Sequence, residues 1–304
     1  MKLINGVRTN ERLTLLLFAI PFVVFIILFA YVPLVGWVYS LFNYKPGIPL
    51  MNSKFVGLDN FALIFTFYKN QILNVLRNTL IFSFLGLLSS PLPMVFAIFL
   101  NEMNSIKYKK LVQITTTLPN FISWVIVFSL AFSLFQDSGV VNNTLMALGW
   151  IDKPTMLLGN SGAVYWFQTV LGWWKSIGWS AIIYIAAIAG IDSELYDAAS
   201  VDGAGRFGKM IHITLPGLLP TYVVLLLLGI GGMISVGFDQ YFVFYNSLVA
   251  DKIEVIDTFV FRIGVRKNDY SFATAVGILK TLISLSLLFT ANWIAKRVRG
   301  EAII

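Results

Sequence analysis

The stretch Leu195-Tyr-Asp-Ala-Ala-Ser-Val-Asp-Gly-Ala-Gly-Arg-Phe-Gly-Lys-Met-Ile-His-Ile-Thr-Leu-Pro216 decides the fold. It is polar and glycine-rich, and on each side lies an apolar run of the length that crosses a bilayer, about 20 residues. A polar insert between two such runs has to face water. Its small residues, Ala198, Ala199 and Gly203, give it a flat face instead of an apolar stripe, which suits close approach by the backbone of another protein.

The chain around the insert is greasy. Of 304 residues, 58% are hydrophobic and 12% charged, whereas a soluble domain carries about 25% charged residues. An all-α, polytopic membrane protein is expected. Cysteine is absent, which removes disulfides, thiol nucleophiles and cysteine metal sites. The net charge of +7 is spread through the polar segments between apolar runs, so no basic stripe for nucleic acid forms.

Six runs qualify as spans: Leu13 to Phe42, Leu80 to Leu100, Leu111 to Phe135, Trp173 to Ile191, Leu218 to Phe238 and Phe272 to Ala295, the fourth starting as early as Val164 on its widest reading. The first is too long for a cleaved signal peptide, whose apolar core is about 7 to 15 residues. Pro21 and Pro33 within it predict kinks. Ser89-Ser-Pro91-Leu-Pro93, Leu118-Pro119-Asn120 and Gly229-Ile-Gly231-Gly232 predict breaks in the second, third and fifth spans. Broken backbone at membrane depth is tolerated beside protein or water, which points to a cavity. Basic residues split nearly evenly between the two sides and do not orient the chain.

Two phosphate-binding patterns in the insert fail on context. Gly203-Ala-Gly205-Arg-Phe-Gly208 matches G-x-G-x-x-G but follows no strand. Gly203 and Gly208-Lys209 approach a P-loop, yet Met210 stands where a hydroxyl must hold magnesium. This chain is therefore not expected to bind or hydrolyse ATP. His212, the sole histidine, has neither a metal cluster nor a triad in the sequence.

The order Asp197-Ala198-Ala199, three residues, Gly203, nine residues, Ile213-x-Leu215-Pro216 resembles the EAA signature of permease subunits in bacterial ATP-binding-cassette (ABC) importers, with Asp197 where Glu is commoner. Phe55-Val-Gly-Leu-Asp-Asn-Phe61, Arg77-Asn78-Thr79-Leu80 and Leu118-Pro-Asn-Phe-Ile-Ser-Trp124 are similar to segments of carbohydrate permeases, the last to the oligosaccharide and polysaccharide branch. The resemblance implies a maltose-permease-like, type I importer fold: a cytoplasmic tail at 1–12, six transmembrane helices over 13–300 and a cytoplasmic coupling loop at 192–216. It further implies a multi-pass protein of the bacterial cell membrane with both termini cytoplasmic.

The partners it implies are a second, non-identical permease, two cytoplasmic ATPase subunits that bind ATP and magnesium, and an extracellular solute-binding protein that delivers a di- or oligosaccharide. No cofactor and no catalytic residue are expected in this chain. Asp197, Ala198, Ala199, Gly203, Ile213, Leu215 and Pro216 are the coupling candidates, with Ser193 as a helix cap, Gly203 as a left-handed helix end, and Arg206 and Lys209 facing acidic residues of the ATPase.

For the sugar path, the helix before the insert offers Gly172, Ser176 and Trp179 on one face, beside Trp173; the helix after it offers Gly229, Met233 and Val236. Lys175, following Trp173 and Trp174, reads as a snorkelling interfacial residue. Should the substrate be anionic, either amine could neutralise it, Lys280, inside a span, being the stronger candidate, since an intramembrane ion is a functional candidate by default. An ABC permease for a non-sugar solute and an ion-coupled secondary transporter are the alternatives; the second needs carboxylates within its spans, where this chain has none.

Overall fold

The computed structural model describes residues 2–299, with side chains from 13 to 297; Met1 and residue 300, the outer limits of the expected tail and permease segment, lie outside the described residues. Among those described, the chain is helical, with one isolated bridge, Phe42 to Phe55, as its only β pairing.

Helix α1, Lys2–Ile26, runs past Pro21 and passes through a π turn (Ile27–Tyr31) into a 3-10 stretch (Val32–Leu41) that opens at Pro33. After the short α2 (Asp59–Phe65) come α3 (Lys69–Leu88) and α4 (Pro91–Asn101), then α5 (Ile106–Thr117), α6 (Trp124–Phe135) and α7 (Val140–Ala147). The long α8 (Val164–Ala189) bends by 70° into α9 (Ser193–Val201). Next are α10 (Arg206–Lys209), a π turn (Met210–Thr214) and α11 (Leu215–Gly231). The short α12 (Asp239–Val243), α13 (Ala250–Ile253) and α14 (Ile256–Phe261) precede the terminal α15 (Tyr270–Arg299).

Five helical stretches are long and apolar enough to cross a membrane, and the bent α8–α9 pair makes six. The break expected in the third span is present, and the bounds of the third and fifth spans need correction. The 111–135 run is not one helix: a 3-10 turn, Leu118–Phe121, separates α5 from α6, because Pro119 lacks the N–H that would continue the ladder. The stretch passing the length and hydropathy test there is Trp124–Ala147. The fifth span begins earlier and ends earlier than expected, as the continuous stretch Arg206–Gly231; Gly231-Gly232 stops it before Phe238, two adjacent glycines being poor helix formers.

The chain forms two compact units. The first comprises residues 1–69 and 260–279. Its anchor is Asn60, 8% exposed, whose amide donates to the carbonyls of Ser40 (2.8 Å) and Phe42 (3.3 Å), freed where the 3-10 stretch ends. Gly57 supplies the positive φ (58°) of the turn leading to it. The Phe55–Phe61 pattern is thus a staple for the end of the first apolar stretch. Tyr68 stacks on the buried Phe272 at 4.3 Å, and the Ser271 hydroxyl accepts from the Tyr44 N–H.

The second unit comprises 70–259 and 280–304. Helices α4 and α8 pack through Met94, Ala97 and Ile98 against Ala181, Tyr184 and Ile188. Ala97 and Ala181 are fully buried; small residues let helices approach closely where lipid offers no hydrophobic drive. Gly178 shows the extreme, since a Cβ there would lie 2.2 Å from the Thr116 carbonyl oxygen of α5. A second cluster joins Phe82, Val127, Ala131, Tyr241 and Phe244. Asn78, fully buried, donates to the carbonyls of Asp251 and Glu254 and accepts from the Tyr165 hydroxyl (2.7 Å), while Thr79 accepts from the Ile256 N–H. The Arg77–Leu80 pattern therefore ties the 250–256 connection to α3.

Candidate functional site

The polar insert folds into a compact, exposed element. Helix α9 is capped by Asp192, whose carboxylate accepts from the Glu194 N–H (2.9 Å), so the cap lies one residue before the expected Ser193. At the other end Gly203 has φ +79°, with Ala204 N–H bonded to the Ala199 carbonyl and Gly203 N–H to that of Ser200. This is the Schellman arrangement that a glycine at the left-handed position permits.

The element is held closed by its own polar groups. The Tyr196 and Thr214 hydroxyls meet at 2.9 Å, and Lys209 donates to the Ser200 hydroxyl (2.6 Å). Arg206 pairs with Glu102 (3.6 Å), donates to that residue's carbonyl (3.0 Å) and bonds Asn104. Arg206 and Lys209, expected to face a partner's acids, are both engaged within this chain. Asp197 and Ala198 are exposed and Ala199 half-buried. Ile213 lies in the π turn, and Leu215 and Pro216 open α11. Beside them stand exposed apolar side chains, Leu195, Val201, Phe207 and Ile211; Val201 is 88% exposed. His212 only meets the Gly208 carbonyl of its own turn.

A cavity of about 460 Å³ lies in the second unit, within the usual range for small-molecule sites. Helix α3 supplies Phe82, Ser83, Gly86 and Leu87, and the α3–α4 break adds Ser89 and Ser90. Trp124 comes from α6; α8 gives Gln168, Thr169, Gly172, Trp173 and Ser176. The wall closes with Leu225, Leu226 and Gly229 of α11, then Gly232, Met233, Val236, Gln240 and Tyr241.

Of the path candidates, Gly172, Trp173, Ser176, Gly229, Met233 and Val236 share this wall. Trp179 does not; it is 48% exposed and meets Phe121 edge-on. Lys280 lies elsewhere too, in an ion pair with Asp257. Sequence reasoning missed Gln168 and Gln240, which come together because the Gln240 amide donates to both the carbonyl and the side-chain oxygen of Gln168 (2.7 and 2.9 Å). They stand 72 positions apart, and nothing in the sequence pairs them. It missed Trp124 as well, for which the neighbouring Leu118-Pro119 break was the available signal.

The wall's chemistry is rings, hydroxyls and amides. The hydroxyls of Thr169 and Ser176 donate to carbonyls of α8 and that of Ser89 to the Gly86 carbonyl, which leaves their lone pairs as acceptors, while the Ser83 hydroxyl is shared between the carbonyls of Thr79 and Met233. The Trp173 indole nitrogen is buried without a partner, a donor that costs free energy until something accepts from it. Acceptor oxygens with flat rings suit a polyhydroxylated ligand, whose O–H groups donate while its C–H faces stack. Lys175, expected to snorkel, is instead 8% exposed and bonded to three backbone carbonyls at the α5–α6 break. No group of histidine or acidic residues among the described residues could hold a metal ion.

Residues 93–300 match the family model of binding-protein-dependent transport system inner membrane components. The chain is 37% identical to the protein LplB of Bacillus subtilis, covering 98% of this chain and 92% of that one. It is 38% identical, over the same shares, to the polygalacturonan/rhamnogalacturonan transport system permease protein YteP of the same organism. Among solved structures it is similar to a chain of a bacterial alginate ABC transporter in complex with an alginate pentasaccharide-bound periplasmic protein, with TM-score 0.85, 32% identity and coverage of 96% and 97%.

Proposed function

We propose, from the premise that this chain belongs to the family of binding-protein-dependent transport system inner membrane components, that it forms half of an oligosaccharide importer's path and is moved by ATPases bound at α9. The observation that carries this is a connection: α8 and α11, which wall the cavity, are the two helices joined by the exposed 190–214 element. A push on α9, tied to the residue before α11 by the Tyr196–Thr214 hydroxyl pair, reaches both walls of the path at once.

A second permease completes the path, and one of two ATPase subunits takes α9, with its exposed Leu195 and Val201 and the nearby Phe207 and Ile211, into a groove. ATP and magnesium stay on those subunits, and both termini of this chain are cytoplasmic. An extracellular binding protein delivers the sugar, as in the alginate system. The sugar donates its hydroxyls to the serine and threonine oxygens, stacks on Trp124 or Trp173 and accepts from the indole N–H. Asp197 faces a basic residue of the ATPase.

The reading is tested in vesicles containing the assembled importer, by measuring sugar uptake after ATP withdrawal and, separately, after an uncoupler. Loss on ATP withdrawal with survival under the uncoupler is expected. The opposite pattern favours an ion-coupled transporter and refutes the proposal.

A further inference from the structure

Lys175 lies midway along α8 and is 8% exposed. Its Nζ donates to the carbonyls of Pro119 (2.9 Å), Asn120 (2.8 Å) and Ile122 (2.5 Å). A carbonyl only accepts, so three of them around one nitrogen demand three N–H donors, and a neutral amine has two. The site is built to hold an ammonium. Among the described residues no carboxylate pairs with it; carbonyl dipoles satisfy its hydrogens but do not cancel its unit charge.

That charge sits at the edge of the cavity. Trp173 and Ser176, on either side of Lys175 in sequence, line it, and Nζ is 5.5 Å from the centroid of Trp124, which lines it too. Among the described residues no charged side chain faces the cavity itself. With its three donors occupied, Lys175 is no direct ligand, yet its charge stands 5.5 Å from the centroid of a ring that lines the cavity, in a protein medium that screens less than water.

We propose that Lys175 makes this half of the path selective for acidic oligosaccharides, through the uncompensated ammonium that α8 holds behind Trp124. The inference rests on the cavity being the sugar path, and the experiment separates the two. Equilibrium binding of digalacturonate and of its uncharged dimethyl ester is measured on the purified importer assembly without the extracellular binding protein. The acid is expected to bind about tenfold more tightly than the ester, the scale of a unit charge one ring away; equal affinities, or tighter binding of the ester, overturn the proposal.

Lys175→Met should erase the difference by weakening the acid alone, and Lys175→Arg should keep it. Equal weakening of both sugars by Lys175→Met overturns the proposal and leaves Lys175 as a structural cap of the α5–α6 break. Should the Met variant fail to assemble, the wild-type comparison decides. Gly172→Trp, which fills the cavity, should abolish binding of both sugars. If both still bind to it, or if neither binds wild type, the cavity reading falls and this proposal with it; if both bind wild type equally and Gly172→Trp removes both, only the charge proposal falls.

Discussion

At the scale of single residues, the glycines separate what a motif announces from what packing imposes. Gly203 has a left-handed backbone, and an added Cβ would meet nothing within 4 Å. A larger residue there is strained by its own backbone, by about 1–2 kcal/mol, and deforms the end of α9 without disturbing a core. Gly203→Val is expected to leave assembly and basal ATP hydrolysis in place while lowering sugar moved per ATP; an unchanged ratio would count against the coupling role. Gly178 is the opposite case. Its φ is not special, and a Cβ would meet the Thr116 carbonyl at 2.2 Å and the Thr117 nitrogen at 2.8 Å. Gly178→Ala should destabilise by about 3 kcal/mol or more, as overpacking does, seen as a lower melting temperature of the purified assembly. The left-handed helix end at Gly203 was legible because glycine after a short polar helix announces it. The role of Gly178 was not, because its partner backbone is more than sixty residues away.

At the scale of elements, polar contacts join helices that the sequence keeps apart. The Lys280–Asp257 pair links α15 to α14 with side chains only 19% and 22% exposed. Removing one partner of such a pair strands the other charge and costs about 3–5 kcal/mol, whereas removing both is far milder. Lys280→Met is therefore expected to lower thermal stability sharply, and Lys280→Met with Asp257→Asn to restore most of it; a double variant as weak as the single would mean that no stranded Asp257 charge accounts for the loss. Arg206 is different, being 61% exposed in its side chain opposite Glu102. Exposed pairs contribute about 0–1 kcal/mol, so Arg206→Ala should scarcely move the melting temperature, and a large shift would show that this contact anchors the insert more firmly than surface pairs do. The break at Pro119 was legible, since proline cannot donate. That α8 closes it with Lys175 was not, because a lysine after two tryptophans looks the same in sequence whether it snorkels or is buried.

At the scale of the whole chain, the sequence by itself determined the class: the apolar runs fix how much of the molecule must avoid water, and the polar insert with its EAA spacing fixes where it must meet water. It also placed Gly172, Trp173, Ser176, Gly229 and Met233 close enough to the right helix faces that they share one cavity wall, since helical periodicity survives whatever the helices pack against. Only the tertiary structure decided that Gln168 meets Gln240, that Trp124 joins them, that Trp179 and Lys280 stand outside the wall, and that Arg206 and Lys209 are engaged internally. The reason is physical. Periodicity and turn chemistry act within a few residues along the chain, while a cavity is made by side chains brought together across scores of positions, and its lining depends on which helices pack closely enough to meet.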